Sequence, residues 1–249
     1  MTPPLRKRSA KPWARAGWLL LTALAAPLAH SQSACSSDGQ PAPSALFERF
    51  TNADCASCWA DPATPSSPPN ALTLDWLVPG SQGDAAALAA AANSDARVRL
   101  AALQRSPVAS QDHLLTAIPG EPMTMMRVAH GPAVGNYMGV LISLRLPPNT
   151  ALALPVTGWV VLLETVPVDT AGSPVPRYVV KNALQPLWHM GEKLLNQEGL
   201  DFNEVRAMSL PDAVATDRLR VAGWVQDAQG RVLAAVQSAC QPAPEYQAR

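Results

Sequence analysis

Leu46-Phe47-Glu48-Arg49-Phe50-Thr51-Asn52-Ala53-Asp54-Cys55-Ala56-Ser57-Cys58 carries a short apolar run straight into a Cys-x-x-Cys pair. Ala45 to Thr51 reads as a buried β-strand that delivers the cysteines at its C-terminal end. Two thiols at that spacing close on each other as a disulfide or grip a metal. As a redox dithiol, Cys55 attacks as thiolate and Cys58 resolves the mixed disulfide. As a static bridge, the pair only staples its own loop. A zinc site needs two further ligands, yet Cys35 and Cys240 stand alone and there is no paired-His motif, so no metal is expected.

Outward from this stretch, Ala71 to Val78 is a second apolar strand, stopped by Pro79-Gly80. Ser81-x-x-Asp84 has the spacing of a capping box, and a helix is expected from there to about Gln104. Ala85, Leu88, Ala92, Ala96, Leu100 and Leu103 would form its apolar stripe. Beyond Met123 the sequence turns to β type. Val128-Ala129-His130 leads into a turn-rich segment, and Tyr137 to Leu146 and Val156 to Thr165 are long strands. Tyr178 to Val180 is a shorter one. Gly191 to Arg206 reads as a polar connection with weak helical character. Leu219 to Gln237, turning at Asp227-Ala228-Gln229-Gly230, reads as a hairpin.

The N-terminus has the pattern of an export signal. Arg6, Lys7, Arg8, Lys11 and Arg15 precede an apolar stretch from Ala16 to Ala29, and small residues around Ser31 suit cleavage. Gly17 and Pro27 interrupt that stretch, which is also short for a span of about 20 residues, so no stable membrane insertion is expected after cleavage. The chain of 249 residues has 19 basic and 19 acidic residues. Five of the basic ones and no acid lie before Gln32, leaving 14 against 19, a net of −5. With no basic run or aromatic-studded basic face, nucleic acid is not an expected partner. There is no Gly-rich phosphate loop, no Gly-x-Ser-x-Gly nucleophile context and no cofactor signature. His113, His130 and His189 are scattered and read as ordinary half-exposed residues.

All four cysteines follow the signal. An even count in an oxidising compartment suggests two disulfides, and the favoured pairing is Cys55–Cys58 with a structural Cys35–Cys240 that ties the ends of the mature chain.

Phe50-Thr51-Asn52-Ala53-Asp54-Cys55-Ala56-Ser57-Cys58 resembles the strand-to-active-site passage of thioredoxin-like proteins. More narrowly, it is similar to an exported bacterial family with a thioredoxin-like core, known only as a domain of unknown function. Val179-Val180-Lys181-Asn182-Ala183-Leu184 resembles that family's Val-Val-Arg-x-Leu stretch. Gly223 to Asp227 with Gly230 to Ala235 is similar to its closing hairpin. The resemblance implies a cis-proline beside the disulfide, for which Pro119 is the first candidate and Pro122 the second. One departure stands out: Pro62, Pro65, Pro68 and Pro69 limit any helix after Cys58 to one or two turns.

The fold expected from all this is α/β: a reduced thioredoxin-like part over 45–122 and a β-rich part over 123–240. A signal peptide (1–31) and a flexible segment (32–44) precede them, and a tail (241–249) follows. The expected location is periplasmic or secreted. Two functions are open. One is thiol–disulfide exchange through Cys55 and Cys58 on exported protein thiols or disulfides. The other is a non-catalytic binding or scaffold protein held by structural disulfides.

Overall fold

A computed structural model describes residues 35–119, 125–147, 155–189, 200–212 and 214–240. The expected signal peptide, the tail after Cys240 and Pro122 lie outside the described residues. The described residues all lie in one compact unit.

The fold is mostly β-structure in two sheets, and the expected thioredoxin-like α/β architecture is not what the chain adopts. The larger sheet is built from β2 (Ala45–Asn52), β3 (Ala71–Val78), β4 (Gln111–Ala117), β7 (Val156–Val166), β8 (Arg177–Leu184), β11 (Leu219–Gln226) and β12 (Val232–Gln237). Its order is β12-β11-β7-β8-β3-β2-β4, and the short β9 (Leu187–Trp188) pairs with β7. Only β2–β3 and β3–β8 are parallel; the other pairs are antiparallel. The smaller sheet comprises β1 (Cys35–Ser36), β5 (Met125–Val134), β6 (Tyr137–Leu146), β10 (Leu200–Ser209) and β13 (Ala239–Cys240). All its pairs are antiparallel, in the order β10-β6-β5-β1-β13.

Alternation along the strands decides how these sheets pack. In β7, Val156, Val160 and Leu162 face the smaller sheet, joining Val128, Val140, Ile142 and Leu144 in one core. Trp159, Val161 and Leu163 point the other way, into a second core with Leu46, Phe50, Leu72, Trp76, Trp224 and Leu100. Gly223 on β11 faces Val128 of the smaller sheet at close range. A Cβ there would meet Val128 Cγ1 at 2.8 Å and the Trp159 carbonyl oxygen at 2.9 Å. Glycine is required by space alone.

The long helix expected from Asp84 to Gln104 is absent. Two single 3-10 turns (Gly83–Ala85 and Ala89–Ala91) precede α2, which spans only Asp95–Ala102. The alanines have little surface to bury, and tertiary amide bonds win over helix continuation. Leu88 N–H donates to the Ala53 carbonyl at 3.0 Å, and Asn93 N–H donates to that of Leu77 at 3.3 Å. Asn93 Oδ1 then accepts from Ala96 N–H at 3.1 Å, starting a new helix where the sequence pattern ran on. Ser81 caps no helix; it is taken by Asp54.

Two β segments also differ from expectation. Of the turn-rich segment expected after His130, Gly135-Asn136 form a turn, but Gly131 to Val134 continue β5, whose register shifts between His130 and Ala133 and so absorbs Gly131-Pro132 as a bulge. Leu200–Ser209 is a strand paired along its length with β6. The rest of the connection from Gly191 lies outside the described residues.

Cys35 and Cys240 sit directly opposite each other on β1 and β13 and are disulfide-bonded, with Cα atoms 4.1 Å apart. The bridge spans 205 residues. In the chain-entropy view, closing a loop of that size stabilises by about 5 kcal/mol.

Candidate functional site at the Cys55–Cys58 disulfide

Strand β2 runs between β3 and β4, and Leu46 to Thr51 are all buried. The chain leaves it through a turn in which Cys55 N–H donates to the Asn52 carbonyl at 3.0 Å. Asn52 is fixed in turn: its side chain donates to the Val108 carbonyl at 2.9 Å and accepts from Asp54 N–H at 2.8 Å. One turn of helix, α1 (Ala56–Trp59), follows. It ends where the prolines begin, as their ring geometry requires.

Cys55 and Cys58 are disulfide-bonded, with Cα atoms 5.3 Å apart. Cys55 is half-buried and Cys58 buried. Cys58 N–H donates to Cys55 Sγ at 3.3 Å, and the Ser57 hydroxyl lies 3.6 Å from the same sulfur. A donor aimed at a sulfur stabilises the charge that appears there on reduction.

Asp54, next to Cys55 in the chain, has its carboxylate tied up elsewhere. Its carboxylate accepts from Ser81 N–H at 2.8 Å, from the Ser81 hydroxyl at 2.9 Å and from Gln82 N–H at 3.3 Å. Desolvation raises its pKa, but the Ser81 and Gln82 bonds outweigh it and hold the carboxyl below its ordinary value. Gly80 is part of this seat, since a Cβ there would collide with the Asp54 carboxylate.

Against the loop that follows Cys58 lies a buried ionic cluster that sequence reading missed. Asp75, on β3, accepts from Arg49 at 2.8 Å and from Arg177 at 3.3 Å. It also accepts from Tyr178 N–H at 2.6 Å. All three side chains are at most 3% exposed. Backbone carbonyls complete the solvation of the two guanidiniums, and the Asp61 carboxylate also acts on Arg177. Arg49 donates to Pro65 O at 2.9 Å and Pro176 O at 3.0 Å; Arg177 donates to Trp59 O at 2.9 Å. Burial lowers the Arg177 pKa and the nearby Arg49 adds to that, while Asp75 opposes it.

These bonds latch the loop after the cysteines onto the sheet. Trp59 is held from both sides. Its ring carries the Arg177 guanidinium 4.6 Å from its centre, and its Nε1–H donates to the Ala171 carbonyl at 2.8 Å. Ala171 belongs to the β7–β8 connection and has φ of +51°, the left-handed region. Ser173, in the same connection, accepts from Arg177 Nε at 2.8 Å.

Pro119 is not part of this site. Ala117 pairs with Ala45 at the start of β2, and Ile118 N–H donates to the Ser44 carbonyl at 2.9 Å. The cysteines follow the other end of β2, so the strand's length of about 26 Å separates Pro119 from them. His113 and His189 are exposed. His130, expected to be half-exposed, is 6% exposed. Burial pushes its pKa down, more than the Gly131 carbonyl raises it, and Arg220 adds to the depression.

No protein family's sequence profile matches the chain, and no curated protein matches it. Among solved structures, it is similar to HBP35 of Porphyromonas gingivalis, with 10% identity and a TM-score of 0.50. That likeness covers 84% of this chain and 78% of the other, and it bears on the fold alone. A second likeness, to an endonuclease/exonuclease/phosphatase from Beutenbergia cavernae, has 12% identity and a TM-score of 0.24. It covers 52% of this chain and 30% of that one, too weak to carry an argument. Among the described residues, no helix is long and apolar enough to cross a membrane.

Proposed function

We propose that this is an exported thiol–disulfide exchange protein acting through Cys55 and Cys58 on protein thiols. The observation that supports it is the asymmetry of the pair: Cys55 is half-buried and receives an N–H, whereas Cys58 is buried. A partner thiolate attacks Cys55 Sγ, and the bond to Cys58 breaks. Cys58 leaves as thiolate and takes a proton. The partner's second thiolate then attacks its own sulfur in the mixed disulfide, releasing Cys55 as thiolate. The partner ends oxidised by two electrons and this pair ends reduced.

The test is capture from periplasm on non-reducing gels. Cys58→Ser should accumulate a mixed disulfide through Cys55, and Cys55→Ser should not. Its companion measurement is the reduction potential of the pair. Exchange proteins fall between about −270 and −120 mV, whereas a value below about −300 mV marks a static bridge and a scaffold role.

A further inference from the structure

His130, Cys35 and Cys240 form one row across three strands. Cys35 is paired with Cys240 on one side and with His130 on the other, and residues directly opposite in antiparallel strands project from the same face. One His130 ring nitrogen and the two sulfurs all lie within 4.8 Å of one another. His130 Nδ1 lies 3.0 Å from the Gly131 carbonyl oxygen, which fixes it as the N–H donor. Nε2 is then left with its lone pair, and it is buried with no hydrogen-bond partner among the described residues. A buried lone pair without a donor is costly, and histidine oriented by a carbonyl at Nδ1 is the form that ligates metals through Nε2.

We propose that these three residues form a zinc site when the Cys35–Cys240 bridge is reduced. Tetrahedral Zn²⁺ on two thiolates and one imidazole sets its donor atoms about 3.5–3.8 Å apart. That lies inside the present spread once the sulfurs separate. Reduction begins at Cys240, which is exposed, while Cys35 and His130 are buried. A dithiol reductant gives two electrons and two protons to the bridge and becomes a disulfide itself. Zn²⁺ then displaces both thiol protons into solvent and is held by two sulfurs and Nε2. A water fills the fourth position on the open side at Cys240. Oxidation therefore closes the site, and reduction opens it. In either state a covalent or coordinate link joins β1 to β13.

The experiment uses the mature chain carrying Cys55→Ser and Cys58→Ser, so that Cys35 and Cys240 are its only cysteines. The chain is reduced anaerobically with a water-soluble phosphine and titrated with Co²⁺. One equivalent should bind with a thiolate-to-cobalt charge-transfer band, and one equivalent of Zn²⁺ should abolish the band. The unreduced chain should show none, and His130→Gln should weaken binding by at least tenfold. If that variant does not fold even when oxidised, nitrogen NMR of the His130 ring decides instead, because Nε2 must shift with Zn²⁺. The proposal fails if reduced protein gives no band, if Nε2 does not respond, or if His130→Gln binds as tightly. It fails equally if near-UV circular dichroism is lost on reduction and Zn²⁺ does not restore it. Because the other cysteine pair is absent, none of these outcomes depends on exchange at Cys55.

Discussion

Arg177 donates to the backbone carbonyl of Trp59 at 2.9 Å while its guanidinium stacks 4.6 Å from the centre of the same residue's ring. One side chain thus grips both the main chain and the side chain of the residue next to Cys58. Such a contact orders a loop that its own prolines keep from forming a longer helix. Replacing Arg177 by Met leaves Asp75 with one fewer cation and frees the Trp59 carbonyl. Asp75 keeps Arg49, so a loss of about 1–3 kcal/mol is expected in urea unfolding from the unpaired carbonyl, with faster hydrogen exchange over residues 59–70. Unchanged exchange there, alongside lost stability, would show that Arg177 serves the sheet and not the loop.

Glu48 and Arg99 make the second buried ion pair, on the opposite face of β2 from Arg49. Arg99 binds both Glu48 oxygens at 2.7 Å, and Trp76 Nε1–H donates to one of them at 3.0 Å. The guanidinium lies 5.0 Å from the ring of Trp159 and 4.9 Å from that of Trp224. Arg99→Met should cost about 3–5 kcal/mol, because it strands a buried carboxylate. Adding Glu48→Gln should recover part of that loss, so the double variant is more stable than the two single costs predict. Strict additivity in a double-mutant cycle would contradict the pairing.

Gly223→Ala inserts a methyl group where the sheets meet. Val128 can move by rotating, but the Trp159 carbonyl cannot, so a cost of about 1–3 kcal/mol is expected. Val128→Ala in the same chain should not rescue it, since the backbone contact persists. Chemical denaturation of the two variants provides the check.

Asp227 sets the pH dependence of the closing hairpin. Desolvation raises its pKa. Arg231, through its N–H at 2.9 Å and its guanidinium at 2.7 Å, outweighs that, with Gln229 N–H adding to it at 3.0 Å. The carboxyl therefore titrates below its ordinary 3.8. A depressed folded pKa means that the contribution is present above the unfolded value and is lost as pH falls through the folded one. Asp227→Asn should lower stability by about 1–2 kcal/mol at neutral pH and show a smaller further loss between pH 5 and 2. Urea titrations across that range test the sign.

Much of the local structure was legible. Ala71–Val78 and Tyr137–Leu146 run over the residues expected, and β2, β7 and the hairpin of β11 and β12 differ by only a few positions. Trp59, Trp76, Trp159, Trp188 and Trp224 are buried. Both cysteine pairs are those favoured from spacing and chain ends. The Asp84–Gln104 stripe misled because periodic alanines describe a helix that forms only if the amides have nothing better to bond. Ala53 and Leu77 offered carbonyls that sequence could not place beside it.

Strand alternation, turn residues and prolines act within a few positions, so the sequence by itself determined where most strands begin and end and why α1 is one turn long. Which strands pair, and hence that the fold is two β-sheets, was decided only by tertiary structure. So was the cluster against the loop after Cys58, whose Arg49 and Arg177 stand 26 and 102 residues from Asp75. The row of His130, Cys35 and Cys240 is likewise a product of register between strands distant in the chain. A charge or a ring nitrogen in a sequence has no partner until burial removes water as the alternative, and burial is a property of the packed sheets.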